Sequence, residues 1–130
     1  MKKTQYKYYT GVGPPAPFVH VSLGAPGVPA QLTGQPAHID TGAYKSVIPL
    51  AWADQLGLLR VREVSAQGLD GVVVVLPTYL VEVTVKDFSP VIVEVLASPG
   101  EPFVLLGRDI LNRYRIVLAG PNRELVVEEP

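Results

Sequence analysis

Asp40-Thr41-Gly42-Ala43 is the stretch of sequence that decides the fold, and it occurs once in 130 residues. The short apolar strand Ala37-His38-Ile39 precedes it, and Ser46-Val47-Ile48 follows it. A second motif, Leu105-Leu106-Gly107-Arg108-Asp109-Ile110-Leu111, lies near the C-terminus. Glycine in the first motif allows a tight turn, so two such loops can approach each other closely. The pattern therefore predicts a strand that delivers a single carboxylate to an exposed turn.

The composition is that of one folded domain. Apolar residues make up 48% of the chain and charged residues 18%, so we expect a packed core. The net charge of −1, without a basic block, gives no reason to expect a nucleic-acid partner. There is no cysteine, which excludes disulfides and thiol catalysis. No apolar run approaches the ~20 residues of a membrane span and no signal peptide is visible, so we expect a soluble cytoplasmic protein without a membrane partner.

Short strands dominate the secondary structure that the sequence predicts. Thirteen prolines and twelve glycines punctuate runs of valine, leucine, isoleucine and tyrosine, which favours an all-β domain. Residues 49–56 and 109–113 predict two short helices, the first with a proline in its first turn and a stop at Gly57. We expect a single domain over residues 1–130, in which residues 1–12 are loose or ordered by a dimer partner.

The chemistry available to Asp40 depends on a second carboxyl group. Peptide hydrolysis without a metal or a covalent nucleophile needs one group to activate water and another to protonate the leaving amine. Two carboxyls that share one proton can do both, because like charges about 3 Å apart cannot both ionise. One then acts as the base while its protonated partner polarises the scissile carbonyl. Since the chain carries one such motif, the second carboxyl is expected from another copy.

The two motifs together resemble the retropepsin family of dimeric aspartic proteases, and the resemblance covers about residues 15 to 128. It implies a closed β-barrel with one or two short helices, acting as a homodimer on a peptide or protein substrate. Asp40 would be the catalytic residue of an aspartic endopeptidase, with no cofactor and no metal. Thr41, Gly42 and Ala43 would support the active-site loop, and Thr41 would interlock with its counterpart in the other copy.

The resemblance assigns two further segments. The glycine hairpin Gly68-Leu69-Asp70-Gly71, with Val72 after it, lies where the family carries the flap that covers the substrate. The apolar run 72–76 is either a buried strand or the inner face of this flap. In the second motif, Gly107 would let the chain pass beneath the active-site loop. We expect a salt bridge from Arg108 and a helix N-cap from Asp109.

Two positions depart from the pattern of viral members. Many of those have an aspartate directly after Asp-Thr-Gly-Ala, which pairs with the arginine of the second motif. Tyr44 stands there in this chain, so Arg108 needs another partner. His38 replaces a residue that is usually apolar. The chain therefore looks closer to cellular or bacterial retropepsin-like proteins than to viral ones.

Ala43 bears on the pH range of the predicted activity. Bilobed pepsins usually have a hydroxyl residue there, which can donate a hydrogen bond to the active carboxylates and favour their ionised form. Without that donor the pair should keep its proton to higher pH, so we expect an optimum less acidic than that of pepsin.

Two other interpretations of the sequence stay open. The main alternative is a catalytically silent retropepsin-like module that dimerises or binds peptide, and an unrelated β-barrel adaptor is the third. Zinc is not expected, because His20 and His38 lack metal-ligand spacing.

Overall fold

The computed structural model describes residues 1–130 as ten β-strands and two short α-helices. The strands are β1 (Lys2–Lys7), β2 (Phe18–Gly24), β3 (Leu32–Ile39), β4 (Val47–Pro49), β5 (Leu59–Gln67), β6 (Val73–Val85), β7 (Val91–Ser98), β8 (Val104–Leu106), β9 (Arg115–Ala119) and β10 (Glu124–Glu129). The helices are α1 (Leu50–Gln55) and α2 (Arg108–Leu111). The predicted all-β class with two short helices is confirmed. No helix has the length and apolar character needed to cross a membrane.

A closed barrel forms the body of the molecule. Its strands follow one another in the hydrogen-bonded order β2, β3, β8, β4, β7 and β6, and β6 pairs back onto β2. Strand β5 adds to the outer side of β6. The β3–β8 and β4–β7 pairs are parallel and the other pairs of this sheet are antiparallel. Closure leaves few unpaired strand edges, which is how small barrels avoid edge-to-edge association.

Alternating side chains fill the barrel. On β6, Val81, Val83 and Val85 are at most 2% exposed, whereas the residues between them are half-buried. This is the period of two expected when successive side chains of a strand point to opposite faces. The core contains 20 buried apolar residues in one cluster, to which both α2 and the C-terminal strand contribute. The packed core of the barrel therefore supports the loops that connect its strands.

Helix α1 ends at the glycine that the sequence predicts. Gly57 has a positive φ of 63°, a region that glycine adopts without steric cost. Its N–H donates to the Asp54 carbonyl at 3.1 Å, and the Leu58 N–H donates to the Ala53 carbonyl at 3.0 Å. This pair of hydrogen bonds is the Schellman motif. Pro49 occupies the N-cap position, one residue before the first turn in which it was expected.

A second, three-stranded antiparallel sheet has the order β1-β10-β9. Residues 1–12, expected to be loose or ordered by a partner, include a strand that pairs with β10 of the same chain from Lys2 to Lys7. The reason lies in one face of β1. Thr4 is buried, and Tyr6 packs against the core beside Leu125, which is fully buried. The N-terminal strand is therefore ordered within a single chain.

Candidate active site

The Asp40 loop begins where β3 ends. Strand β3 runs parallel to β8, and the Asp40 N–H extends that pairing by donating to the Leu106 carbonyl at 3.0 Å. The Gly42 N–H donates to Asp40 Oδ1 at 2.9 Å, and the Ala43 N–H donates to the Asp40 carbonyl at 3.3 Å. The side chain is half-buried, and its Oδ2 has no hydrogen-bond partner within the chain. The turn thus fixes one carboxylate oxygen and leaves the other available.

Gly107 passes directly beneath this loop. A Cβ built at that position would lie 2.7 Å from the Lys45 carbonyl carbon and 2.8 Å from the carbonyl oxygens of Ala43 and Lys45. Real Cβ atoms essentially never approach other atoms so closely. The next residue, Arg108, donates its N–H to the Ala43 carbonyl at 2.8 Å. The close approach that the sequence predicted for Gly107 is therefore present.

Ser46 joins the two motifs, and sequence reasoning gave it no role beyond its place after the first motif. Its side chain is 1% exposed, and its Oγ donates to Asp109 Oδ1 at 2.7 Å and accepts from the Gly107 N–H at 3.0 Å. The Ser46 N–H also donates to both carboxylate oxygens of Asp109, at 3.1 and 3.0 Å. The one signal in the sequence for this bridge is the position of the Ser46 hydroxyl, between the first motif and the apolar strand that begins at Val47.

Asp109 therefore does not cap helix α2, and that expectation was wrong. The N-cap position belongs to Gly107, whose backbone is extended, and no side chain caps the helix. Asp109 lies in the first turn, where a carboxylate interacts favourably with the helix dipole. The backbone N–H and the hydroxyl of Ser46 together make three hydrogen bonds to this carboxylate, whereas an N-cap role would give it one or two. It fastens the second motif to the first.

Arg108 bonds to the active-site loop without forming an ion pair. Its Nη1 donates to the Thr41 carbonyl at 2.8 Å, and no carboxylate lies within salt-bridge distance. The expected salt bridge of Arg108 is thus absent, because Tyr44, which is 53% exposed, supplies no charge. The Arg108 side chain instead binds a backbone carbonyl of the loop, so the contact does not depend on an acidic side chain.

An ion-pair network that the sequence did not predict connects the loop to the β5–β6 hairpin. Arg62 on β5 donates two hydrogen bonds of 2.7 Å to the carboxylate of Glu94 on β7. Lys45, at the end of the Asp40 loop, lies 3.9 Å from Glu94 Oε1 and donates to the Glu94 carbonyl at 3.4 Å. The hydrogen bonds from Arg62, together with one from Thr78, lower the pKa of Glu94 to about 2. Glu94 therefore stays ionised well below the ordinary range of a carboxyl group.

The hairpin that joins β5 to β6 has a glycine-containing tip, as predicted. The Val72 N–H donates to Asp70 Oδ1 at 3.0 Å, and the Gly71 N–H donates to the Gly68 carbonyl at 3.1 Å. Gly71 has a positive φ of 78°, which the turn requires. Leu69 at the tip is fully exposed. The run 72–76 is not a buried strand, because its first four residues are all exposed.

No group of three or more acidic, histidine or cysteine side chains could hold a metal ion. Two shallow cavities lie elsewhere on the molecule, one beside Tyr6 and His20 and the other beside Arg113 and Tyr114. Neither contains a residue of the Asp40 loop or of the hairpin tip. In the single chain, Asp40 is half-buried and the next two residues, Thr41 and Gly42, are exposed.

Comparisons with known proteins agree with this geometry. Residues 28–113 match a family model described as gag-polyprotein putative aspartyl protease. The structure is similar to that of EIAV protease complexed with the inhibitor HBY-793, with 25% sequence identity and a TM-score of 0.57 over 77% of this chain and 88% of that one. It is also similar to a retropepsin-like aspartic protease from Rickettsia conorii, with 11% identity and a TM-score of 0.64 over 97% of this chain and 90% of that one. The second likeness is one of fold alone. No protein with a curated function matches the sequence.

Proposed function

Because the chain belongs to the gag-polyprotein aspartyl protease family of retropepsin-like proteins, we propose that it is an aspartic endopeptidase that acts as a homodimer. The observation that carries this proposal is the Asp40 turn. One carboxylate oxygen is held by the Gly42 N–H at 2.9 Å and the other has no partner in the chain. One such carboxyl group cannot both activate water and protonate the leaving amine. Asp40 therefore suits pairing with an identical carboxyl group.

The two copies each contribute one Asp40 carboxyl, and the pair shares one proton. The ionised member takes a proton from water, which attacks the scissile carbonyl, while the protonated member donates its proton to the carbonyl oxygen. The tetrahedral intermediate then collapses as a proton passes to the leaving amine. Neither a metal nor an organic cofactor takes part in this sequence.

The loop around Asp40 is suited to a dimer axis. Thr41 and Gly42 are exposed in the single chain, and the Thr41 hydroxyl has no partner within it. A hydroxyl at this point can bond to its counterpart in the second copy, as the family resemblance implies. Gly107 and Arg108 contact the loop closely and fix its position relative to the barrel. We propose that these residues act as supports of the site and that residues 1–130 form a single protease domain.

The β5–β6 hairpin is the proposed flap. Val72, Val73, Val74 and Val75 are between 46% and 60% exposed, an apolar surface that a single chain leaves open to water. Consecutive exposed valines mark a surface that is covered in the functional state. An extended peptide that adds main-chain hydrogen bonds to such a strand would cover it. Substrates with hydrophobic or aromatic residues at the cut therefore suit this cleft best.

The test compares cleavage of a mixed peptide library by the wild type and by Asp40→Asn. The control is Asp54→Asn, which removes an exposed carboxylate from α1 without touching the loop. We expect Asp40→Asn to lower the rate by about 10²- to 10⁴-fold, as loss of an acid–base group does. A statine-type inhibitor should block the wild type. Equal rates for Asp40→Asn and the wild type would remove Asp40 as the catalyst. A proven dimer that cleaves nothing at any pH would indicate the silent peptide-binding module instead.

A further inference from the structure

The hydroxyl of Tyr114 is the one buried side-chain polar atom of the chain that has no hydrogen-bond partner. Tyr114 follows α2, and its ring packs against the buried ring of Phe88, with the two ring centroids 5.7 Å apart. The ring is therefore anchored in the core. Because buried polar groups are nearly always paired, the orphaned hydroxyl indicates a partner from outside the chain.

Tyr114 lines a cavity of about 260 Å³. One water molecule occupies about 30 Å³ in the liquid, so this cavity has room for a small organic molecule. The other residues that line it are Ser89, Pro90, Val91, Arg113, Glu129 and Pro130. None of them belongs to the Asp40 loop or to the β5–β6 hairpin. The cavity thus combines polar, charged and apolar side chains in one place.

Two opposite charges flank the cavity, and neither takes part in a salt bridge. Arg113 is exposed, and no carboxylate lies within salt-bridge distance of its guanidinium. Glu129 Oε2 accepts from the Ser89 N–H at 2.9 Å, which leaves Oε1 for another donor. Lys2, opposite Glu129 on β1, instead donates from Nζ to the Asp87 carbonyl at 2.6 Å. The cavity therefore presents one positive and one negative charge that the chain itself does not neutralise.

The Tyr114 hydroxyl lies near both of these charges. Burial raises the pKa of Tyr114, the Glu129 carboxylate raises it further, and the Arg113 guanidinium lowers it. Because the pKa is raised overall, the hydroxyl keeps its proton at neutral pH. A protonated phenol can donate one hydrogen bond and accept another. Tyr114 can therefore donate to an acidic group that enters the cavity.

We propose that this cavity binds a small zwitterion, a molecule that carries both an ammonium and a carboxylate, as a free amino acid or a short peptide does. The carboxylate binds the Arg113 guanidinium, which can form two parallel hydrogen bonds to it, and accepts from the Tyr114 hydroxyl. The ammonium donates to Glu129 Oε1. Val91 and the two prolines of the lining offer apolar surface to the rest of the ligand. An anion alone would meet the repulsion of Glu129, and a cation alone that of Arg113.

The first test measures binding of L-valine to the wild type by heteronuclear NMR titration. We expect saturable shifts centred on the amides of Ser89, Arg113 and Tyr114, with a dissociation constant of about 0.1 to 1 mM. N-acetyl-L-valine lacks the ammonium and L-valinamide lacks the carboxylate, so each should bind about 10-fold more weakly or worse.

The dipeptide valyl-valine separates the two sources of the ligand. Tighter binding of the dipeptide than of L-valine assigns the site to short peptides, and weaker or equal binding assigns it to free amino acids. Equal binding of the two blocked probes and L-valine would overturn the proposal. So would the absence of saturable binding by either zwitterion, which is the result for a cavity that holds only water.

The second test uses variants of the two proposed contacts to the carboxylate. Tyr114→Phe removes only the hydroxyl and Arg113→Gln removes the charge, so we expect the dissociation constant for L-valine to rise by about 10-fold and about 10- to 100-fold. Tyr9→Phe and Lys7→Gln are the matched controls, because they remove an exposed hydroxyl and an exposed charge outside the cavity. Thermal unfolding should show Tyr114→Phe to be no less stable than the wild type, since the hydroxyl that it removes is unpaired. Variants that bind L-valine as tightly as their controls would overturn the proposal.

Binding of L-valine is measured without peptide cleavage, so its outcome is separate from that of the peptidase proposal. If L-valine binds as described and Asp40→Asn cleaves peptides like the wild type, the zwitterion site stands and Asp40 is not the catalyst. If Asp40→Asn loses activity and L-valine does not bind, the peptidase stands and the zwitterion site is wrong.

Discussion

Replacing Gly107 by alanine tests whether the second motif holds the Asp40 loop in place. The added Cβ would lie 2.7 Å from the Lys45 carbonyl carbon and 2.8 Å from the carbonyl oxygens of Ala43 and Lys45. All three are backbone atoms, so no side-chain rotation relieves the contact. Either the loop from Ala43 to Lys45 lifts away from the barrel or β8 and α2 shift beneath it. Both movements disturb the hydrogen bond of 2.8 Å from the Arg108 N–H to the Ala43 carbonyl.

The magnitude follows from the size of the clash. Overpacking of a close-fitting site by a single methyl group costs about 1 to 3 kcal/mol. A chain of this length unfolds with an entropy of about 0.27 kcal/mol/K near its melting temperature. The melting temperature should therefore fall by about 4 to 11 °C. Because the displaced loop carries Asp40, kcat for peptide cleavage should fall more than KM rises.

The assay is differential scanning calorimetry, followed by peptide cleavage kinetics. Gly120→Ala is the matched control, because a Cβ at Gly120 meets no atom within 4 Å and its backbone does not lie in the left-handed region. We expect Gly120→Ala to melt within about 1 °C of the wild type, as surface substitutions usually do. If Gly107→Ala melts and cleaves peptide like Gly120→Ala, the two loops do not lie in close contact and the reasoning about the second motif is refuted.

Three further predictions concern the surroundings of Asp40. Ser46→Ala should lower the free energy of unfolding in urea by about 1 to 3 kcal/mol, because it leaves the buried Gly107 N–H without an acceptor; an effect as small as that of Ser89→Ala on an exposed loop would contradict it. Arg62 lowers the pKa of Glu94 from 4.5 to about 2. The Arg62–Glu94 ion pair therefore stabilises the fold fully above about pH 4.5, and this contribution is lost as the pH falls toward 2. Glu94→Gln should therefore show a shallower fall of melting temperature over that range than the wild type, and parallel curves would exclude the pair as the cause. Ala43→Ser should move the acidic limb of the pH–rate profile to lower pH, because the hydroxyl can donate to the ionised carboxylates; an unchanged profile, or a wild-type optimum near that of pepsin, would count against the role of Ala43.

The features that the sequence predicted correctly are local ones. The run from Phe18 to Leu23 alternates apolar and polar residues, and Gly57 follows a helix-length segment, so each reveals its structure within a few residues. The two motifs around Asp40 and Gly107 are also short, so each can be recognised from a few neighbouring residues. The residue patterns predicted the all-β class, whereas the closed barrel and the close approach of the two motifs followed from the resemblance that these motifs carry.

The features that were missed depend on the register of distant strands. Arg62 and Glu94 meet only because β5, β6 and β7 pair in one alignment, which no short stretch of sequence reveals. The pairing of β1 with β10 likewise joins Lys2 to Glu129, at opposite ends of the chain. Asp109 was misassigned for the same reason, since its donors come from Ser46 rather than from its own helix. Contacts of this kind follow from tertiary structure and not from local preference.

The most direct test of the central claim, that two Asp40 carboxyls from two copies form the catalyst, is a mixing experiment. Wild-type protein at constant concentration is equilibrated with an excess of Asp40→Asn, and peptide cleavage is measured; Asp54→Asn serves as the control. If subunits exchange at random, a tenfold excess leaves about a tenth of the wild-type chains in wild-type dimers, so activity should fall to about that fraction. Asp54→Asn should cause no fall. Full activity in the presence of excess Asp40→Asn, under conditions where mixed dimers are shown to form, would contradict the shared active site.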